Sequence, residues 1–435
     1  MKIRFVTLGC KLNFAESSAL GKVLLSRGHQ RASLSDVPDV CVVNTCSVTD
    51  AADHKDRQAI HQLHRKYPKA IIVVTGCYAQ LQPQQISQIE GVDYVLGQNE
   101  KYDIPALVEE IEQLKNGLGD GMPATERSRC ELQLRGEPIR VSAIREVDEF
   151  HGLHSADDRT RCFIKVQDGC NYFCTYCTIP YARGKSRNPK ISAVLVDAQQ
   201  ALEQGAKELI ITGVNIGDFG RSTGERFIDL LRGLDQLSGD YRVRISSCEP
   251  NLLTDEIIEF VAHSQHFAPH FHIPLQSGSN EVLAIMQRRY SRELFAERVH
   301  HIKSVLPHAF IGVDCMVGVR GETEDRWEDY LAFVKGLDVS QLHVFTYSER
   351  ANTRMLDMDL YVVPKAERQR RSQILHAVSD EKTRAFYSKH AGTTRVVLWE
   401  SKKNGDQMSG FTDNYIKVYA PYQKEKINTF ENILL

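Results

Sequence analysis

The sequence predicts an α/β protein in three parts: an N-terminal open parallel α/β domain, a central partial (βα) barrel and a small C-terminal all-β domain. Three observations carry this. In the first hundred residues, β-branched apolar runs alternate with segments of helical period. From about residue 160, six more strand-like runs recur at helix-length intervals. After about residue 390 the pattern shortens to alternating β. Taken in order, KIRFVTLG, DVCVVNT and AIIVVTG are strands, with helices over about residues 15–27 and 53–66. The Gly-rich, charged stretch NGLGDGMPATERSR breaks the pattern and opens a linker that runs to about residue 158. CFIKVQ, ELIITG, RVRISS, HFHIPLQ, FIGVDCMVG and LHVFTY follow, spaced by helical segments such as 191–205, 253–263 and 292–305. A long helix from 365 to about 389 leads into VVLWE, SGFTDN and YIKVYAP. The expected domains are 1–113, a linker 114–158, 159–385 and 386–435.

With 435 residues, 42% hydrophobic and 25% charged, the chain has ample material for a core and is neither disordered nor fibrous. Its longest apolar runs, 70–74 and 330–334, are far short of the ~18–20 residues of a membrane span. MKIRFVTLGCKLN has no apolar signal-peptide core and reads as a first strand, so the expected location is the cytosol. There thiols stay reduced, and the eleven cysteines are metal ligands, catalytic groups or small hydrophobes before they are disulfides. A net charge of −2 gives no global sign of a polyanionic partner. Locally, RGKSRNPK carries Arg183, Lys185, Arg187 and Lys190 without an acid, and the chain from Lys382 onward is net basic. No Walker-type loop and no G-x-G-x-x-G after a strand is present.

The sharpest motif is Cys170-x-x-x-Cys174-x-x-Cys177, in QDGCNYFCTYC, directly after the first barrel strand. Three thiolates this close can ligate three irons of a cubane cluster, leaving the fourth iron open for substrate or cofactor chemistry. Zinc is the alternative, and it needs a fourth ligand from Cys162, His151 or His154, none at a familiar paired spacing. A second pattern needs the fold: Cys10, Cys46 and Cys77 follow the three N-terminal strands in TLGCKLN, VNTCSVT and VTGCYAQ. Carboxyl ends of parallel strands converge at one sheet edge, so three distant cysteines can meet in a second cluster. Cys41 and Cys315 lie inside strands and read as core, and Cys130, Cys162 and Cys248 default to structural roles.

The cysteine loop after a barrel strand resembles the radical S-adenosylmethionine superfamily, and its combination with the three N-terminal cysteines resembles the methylthiotransferases over essentially the whole chain. TLGCKLNFAES with Lys11, QDGCNYFCTYCTIPYARG and ITGVNIGDFG are most similar to the branch acting on threonylcarbamoyl-adenosine in tRNA. The resemblance implies two 4Fe-4S clusters, one on Cys170, Cys174 and Cys177 that chelates S-adenosylmethionine, and one on Cys10, Cys46 and Cys77 that holds the sulfur to be inserted. It implies radical methylthiolation at carbon 2 of the adenine, with an electron donor and a sulfur donor as further partners. Tyr176 and Gly213 match cofactor-binding positions, and Ser246, Glu249 and Gln276 sit at later strand ends, where barrels place polar site groups.

The basic tail, with Trp399, Phe411, Tyr415, Tyr419 and Tyr422, resembles a short form of the RNA-binding TRAM module of these enzymes. Its partner is then the tRNA anticodon loop, with Arg183, Arg187, Arg288 and Arg289 lining the entrance. Two rivals stay open within the family, action on isopentenyl-adenosine in tRNA or on an aspartate of a ribosomal protein. From another class, the rival is a non-catalytic iron–sulfur or zinc RNA-binding protein. The chain departs from the family pattern at Gly318-Val319-Arg320-Gly321-Glu322-Thr323, where a proline is missing, and at Asn352, where glycine is usual.

Overall fold

The computed structural model describes residues 1–117, 137–147, 149–155 and 160–435. The chain divides into two compact units, Met1–Glu149 with Thr178–Lys185, and Phe150–Cys177 with Ser186–Leu435. Among the described residues, no helix is long and apolar enough to cross a membrane.

In the first unit, β1 (Lys2–Thr7), β2 (Gln30–Arg31), β3 (Val40–Thr45), β4 (Ile71–Gly76), β5 (Tyr94–Leu96) and β6 (Ile139–Arg140) form one parallel sheet in the order β2-β1-β3-β4-β5-β6. β3 and β4 are buried along their whole length because both sheet faces are covered. Alternate side chains serve opposite faces. Val40, Val42, Ile71 and Val73 pack with Leu20 and Leu24 of helix Lys11–Ser26 and with Leu107, Val108 and Ile111 of helix Ile104–Gly117. Cys41, Val43, Ile72 and Val74 pack on the other side with Ile60 and Leu63 of helix Asp50–Lys66. Cys41 is thus a core residue, as expected.

In the second unit, β7 (Leu153–His154) lies antiparallel to β8 (Arg161–Lys165), and β9 (Glu208–Thr212) and β10 (Arg242–Ile245) continue parallel to β8. β11 (His270–Gln276), β12 (Phe310–Val317) and β13 (Gln341–Thr346) form a second parallel group. Parallel bridges from Val243 to Phe267 and from Ser247 to His272 join the two groups. The six expected barrel runs are therefore β8 to β13. One face of these strands, including Ile164, Ile211, Val243, Ile273, Val313 and Leu342, packs against the surrounding helices in a single core. Cys162, Cys248 and Cys315 are buried in it, in keeping with their structural reading, whereas Cys130 and the side chain of His154 lie outside what the structure describes. The stretch expected as linker supplies edge strands to both sheets, β6 to the first and β7 to the second.

Helix Lys365–Lys389 leads to β14 (Thr394–Asn404), β15 (Gln407–Thr412), β16 (Lys417–Pro421) and β17 (Phe430–Leu434), an antiparallel sheet in the order β16-β15-β14-β17. Trp399 fills its core with Val397 and Met408 and donates its indole N–H to Glu431 at 2.7 Å. This sheet is fastened to the barrel by charge. Glu208 is buried against Arg242 and Arg244, and those two guanidiniums also donate to the backbone carbonyls of Phe411 and Asp413 at 3.0 and 3.1 Å. Burial alone would raise the Glu208 carboxyl, but the two arginines hold it well below its ordinary value. Such a depressed acid adds stability above its unfolded value of 4.5 that is lost as pH falls below it. Glu208→Gln is expected to cost about 3–5 kcal/mol at pH 7, because it strands two buried cations, and to flatten the acid limb of the stability profile. Thermal unfolding across pH 3–8 checks both.

Candidate functional site

The first cysteine triad is built by the parallel sheet of the first unit. Thr7 of β1 pairs with Asn44 of β3, and Thr45 with Gly76 of β4, so Cys46 and Cys77 follow adjacent strand ends in register. Cys10 caps helix Lys11–Ser26, and Cys77 opens helix Cys77–Leu81. Two glycines permit this close gathering. Gly9 has φ +96°, and a Cβ there would lie 2.5 Å from the Cys46 Cβ. Gly76 has φ +100°, and its Cβ would lie 2.4 Å from the Thr45 carbonyl oxygen. Gly76→Ala is therefore expected to cost roughly 2–4 kcal/mol by combining a left-handed backbone with overpacking. Thermal unfolding measures that cost, and iron bound per chain measures the accompanying loss of the triad's geometry.

Cys46 and Cys77 are buried while Cys10 is exposed. Burial pushes the Cys46 thiol up to about 12, with the neighbouring Cys77 and Cys10 charges adding to the effect. Burial also raises the Cys77 thiol, opposed by Arg183 and Lys101. These cations belong to a buried network. Glu16 accepts from Lys101 Nζ at 2.7 Å and from Arg183 Nη1 at 3.1 Å, so two cations face one carboxylate. Arg183 Nη2 also donates to Asn13 Oδ1 at 2.6 Å, and Asn13 Nδ2 donates to the Leu8 and Thr45 carbonyls at the ends of the cysteine-bearing strands. Gln98 Nε2 lies 3.5 Å from Cys77 Sγ. A set of three soft sulfurs near the buried Arg183 and Lys101 cations fits an anionic iron–sulfur group.

The second triad lies in the second unit, on the loop after β8. The loop is clamped by Thr175, whose N–H donates to the Met286 carbonyl at 3.1 Å and whose carbonyl accepts from the Met355 N–H at 2.9 Å. Cys174 is buried, and Cys170 and Cys177 are half-buried. Arg288 Nη1 lies 3.2 Å from Cys174 Sγ and 3.4 Å from the Tyr176 hydroxyl, and its Nη2 pairs with Glu249. Tyr290 accepts from Arg288 Nε at 3.0 Å and donates to the Pro274 carbonyl at 2.7 Å, which ties the guanidinium to β11. Burial pushes the Cys170 thiol up to about 11. It also raises Cys174, where Arg288 opposes it, and raises Glu249 against the same arginine. Asp218, after β9, is close enough to act electrostatically on Cys170, and its Oδ2 is buried with no hydrogen-bond partner. An orphaned carboxylate oxygen near the Cys170 sulfur fits a cofactor that brings its own N–H or O–H donor.

The structure brings Cys174, Tyr176, Glu249 and Arg288 together. Ser246 is buried just past β10, and Gln276 ends β11 at φ +64° after a bulge between Pro274 and Gln276. Gly213 leaves room for Gln167, whose Oε1 accepts from the Val214 and Asn215 N–H groups at 2.9 and 2.7 Å.

The expectation that Arg183, Arg187 and Arg288 line an RNA entrance is corrected. Arg183 is 1% exposed and committed to Glu16 and Asn13. Arg187 is buried against Asp168, and Arg288 faces Cys174 and Glu249. Arg289 is exposed, lies 4.1 Å over the Tyr172 ring and donates to the Asn171 carbonyl at 2.8 Å. Of the tail aromatics, Trp399 is core, Phe411 and Tyr415 stack on each other, and Tyr419 is 55% exposed. Asn352 takes φ +64°, which asparagine tolerates, and Arg320, near the missing proline, pairs with Glu349 at 3.0 Å. Sequence reasoning missed Asn13, Glu16, Gln98, Lys101 and Asp218. The one available signal was the polar content of helix Lys11–Ser26, whose Asn13, Glu16 and Ser17 are all buried.

Residues 164–334 match the Radical SAM superfamily, and residues 2–97 match Uncharacterized protein family UPF0004. A solved structure with related architecture is the radical S-adenosylmethionine methyltransferase TsrM from Kitasatospora setae. It has a TM-score of 0.54 at 15% identity, over 79% of this chain and 72% of that one, a likeness of fold alone. A parallel partial barrel bearing the Cys170–Cys174–Cys177 loop defines a radical S-adenosylmethionine enzyme. The chain is 36% identical to the threonylcarbamoyladenosine tRNA methylthiotransferase MtaB of Bacillus subtilis (strain 168), over 96% of this chain and 89% of that protein. It is 30% identical to the tRNA-2-methylthio-N(6)-dimethylallyladenosine synthase of Desulfitobacterium hafniense (strain Y51), over 100% and 94%. It belongs to the radical S-adenosylmethionine methylthiotransferase family.

Proposed function

We propose that the chain methylthiolates carbon 2 of threonylcarbamoyl-adenosine next to the anticodon of tRNA. In this reading Cys170, Cys174 and Cys177 hold one 4Fe-4S cluster and Cys10, Cys46 and Cys77 hold a second. The carrying observation is the pair of cysteine triads, each following parallel strands and each backed by a buried arginine, Arg288 at Cys174 and Arg183 near Cys77. When bound, S-adenosylmethionine on the cluster of Cys170, Cys174 and Cys177 would supply radical chemistry by reductive cleavage, and the cluster of Cys10, Cys46 and Cys77 would hold the sulfur to be inserted.

The chain's own groups bind and orient. Arg288 fixes the Cys174 sulfur and the Tyr176 ring at once. Tyr176 would face the adenine of the cofactor, and the unpartnered Asp218 Oδ2 would accept an N–H from its amino group. Ser246 and Glu249, after β10, and Gln276, at the end of β11, lie at two neighbouring strand ends of the barrel. Arg289 and Tyr419, both exposed, are the arginine and tail aromatic that remain available to phosphates and unpaired bases. An electron donor and a sulfur donor complete the reaction, which takes place in the cytosol with the tRNA.

The threonylcarbamoyl substrate is favoured because identity is higher to the relative named for it than to the one named for dimethylallyladenosine, and because Lys11 follows the first cysteine. Mass spectrometry of nucleosides from tRNA of a host without its own methylthiotransferases, with and without this chain, is the test. A methylthio gain on threonylcarbamoyl-adenosine is expected. A gain on isopentenyl-adenosine instead would overturn the substrate, and no gain from a cluster-loaded protein would overturn the reaction.

A further inference from the structure

Opposite the hydrophobic face of the barrel strands lies a group of donors to which the proposed function assigns no role. His272 of β11, Asp314 of β12 and His343 of β13 sit on neighbouring strands and on one sheet face. Asp314 is paired in register with His343, and His272 with Gly312, two residues before Asp314. The intervening residues Ile273, Val313 and Leu342 point the other way, into the core. Gly312 leaves space on the donor side, since a Cβ there would meet His343 Cε1 at 3.6 Å.

His272 Nε2 lies 2.8 Å from Asp314 Oδ1, and His343 Nδ1 lies 3.5 Å from the same oxygen. One ligand atom from each residue lies within 4.8 Å of the other two. The imidazole planes cross at 88° with centroids 4.8 Å apart. The side chains are 16%, 17% and 37% exposed for His272, Asp314 and His343, so the group is lined by protein yet open on one side.

Charge balance decides what such a group is for. Among the described residues, the charged partners of Asp314 are these two histidines, with no lysine or arginine in ion-pair range. Two neutral nitrogens and one carboxylate oxygen are a common donor set for a divalent first-row ion. With bonds of about 2.0–2.2 Å, neighbouring ligands of one such ion lie roughly 3–3.5 Å apart, close to the two histidine–aspartate separations of 2.8 and 3.5 Å.

We propose that His272, Asp314 and His343 form a binding site for one divalent transition-metal cation, distinct from the two cysteine triads, with further coordination positions open to water or an oxygen donor of the substrate. Nitrogen and oxygen donors separate this site from the all-sulfur triads in metal preference.

The test uses protein with both clusters reconstituted, treated with a chelating resin and dialysed against Zn2+, with zinc and iron measured in the same samples. Wild type is expected to take up about one zinc per chain with its iron unchanged. Asp314→Asn and His343→Gln are each expected to weaken zinc binding at least roughly tenfold while keeping their iron, which reports that the protein is folded. Mn2+ provides a second probe that needs no variant: bound ion is lost from the free-ion electron paramagnetic resonance signal, and added Zn2+ restores it. Wild type that takes up neither ion overturns the proposal. So does equal zinc in wild type and both folded variants, which would leave a hydrogen-bonded triad. These readouts are metal contents, so their failure is separate from any failure of methylthio transfer.

Discussion

Cys174→Ala is expected to reduce 5′-deoxyadenosine formation from S-adenosylmethionine to background, whereas Cys46→Ala keeps that cleavage and loses only the methylthio product. The reason is the separate construction of the two triads. Cys174 is the buried member of the loop after β8, with its sulfur 3.2 Å from Arg288, and its loss leaves two half-buried thiols that cannot hold a cubane. Cys46 follows β3 in the first unit, where its N–H donates to Asp56 at 3.1 Å and its thiol acts electrostatically on Cys77 and Cys10. Each variant should lose roughly half of the bound iron. Anaerobic product chromatography with iron analysis checks both, and equal loss of cleavage in the two variants would contradict the division of roles.

Arg288→Met should give the second large effect, a loss of about 3–5 kcal/mol together with loss of cleavage. One guanidinium serves Cys174, Tyr176, Glu249 and Tyr290, so its removal leaves the Glu249 carboxyl buried without its cation. Burial already raises Glu249 above 4.5, and without Arg288 it rises further. A raised acid favours the folded state below its unfolded value, and that contribution disappears as pH climbs through the folded one. The variant's deficit should therefore grow as pH rises above 4.5. Arg288→Met combined with Glu249→Leu removes the stranded charge and is expected to recover much of the stability without restoring cleavage. Recovery of both would make the pair purely structural. Thermal unfolding in parallel with cleavage assays separates the outcomes.

Much of the architecture was legible because it depends on local pattern. Alternation and helix-length spacing placed β1, β3, β4, the six barrel strands and helix Lys365–Lys389. The spacing of Cys170, Cys174 and Cys177 within one loop required no folding to be read. Cys10, Cys46 and Cys77 needed one inference, that parallel strand ends share an edge, and the register of β3 with β4 supplies it for Cys46 and Cys77.

What remained hidden was the partner of each charge. In the sequence, Arg183 sits in RGKSRNPK and reads as part of a solvated basic surface, yet its carboxylate partner, Glu16, is 167 residues away. Arg288 and Cys174 are 114 residues apart, and the His272–Asp314 pair spans 42. By itself the sequence determined the family, the strand order along the chain and the three-cysteine loop, since periodicity and short spacing survive in one dimension. The tertiary structure alone decided which arginines face solvent and which neutralise buried groups, because a charge is assigned by what lies within a few ångströms and not by its neighbours in the chain.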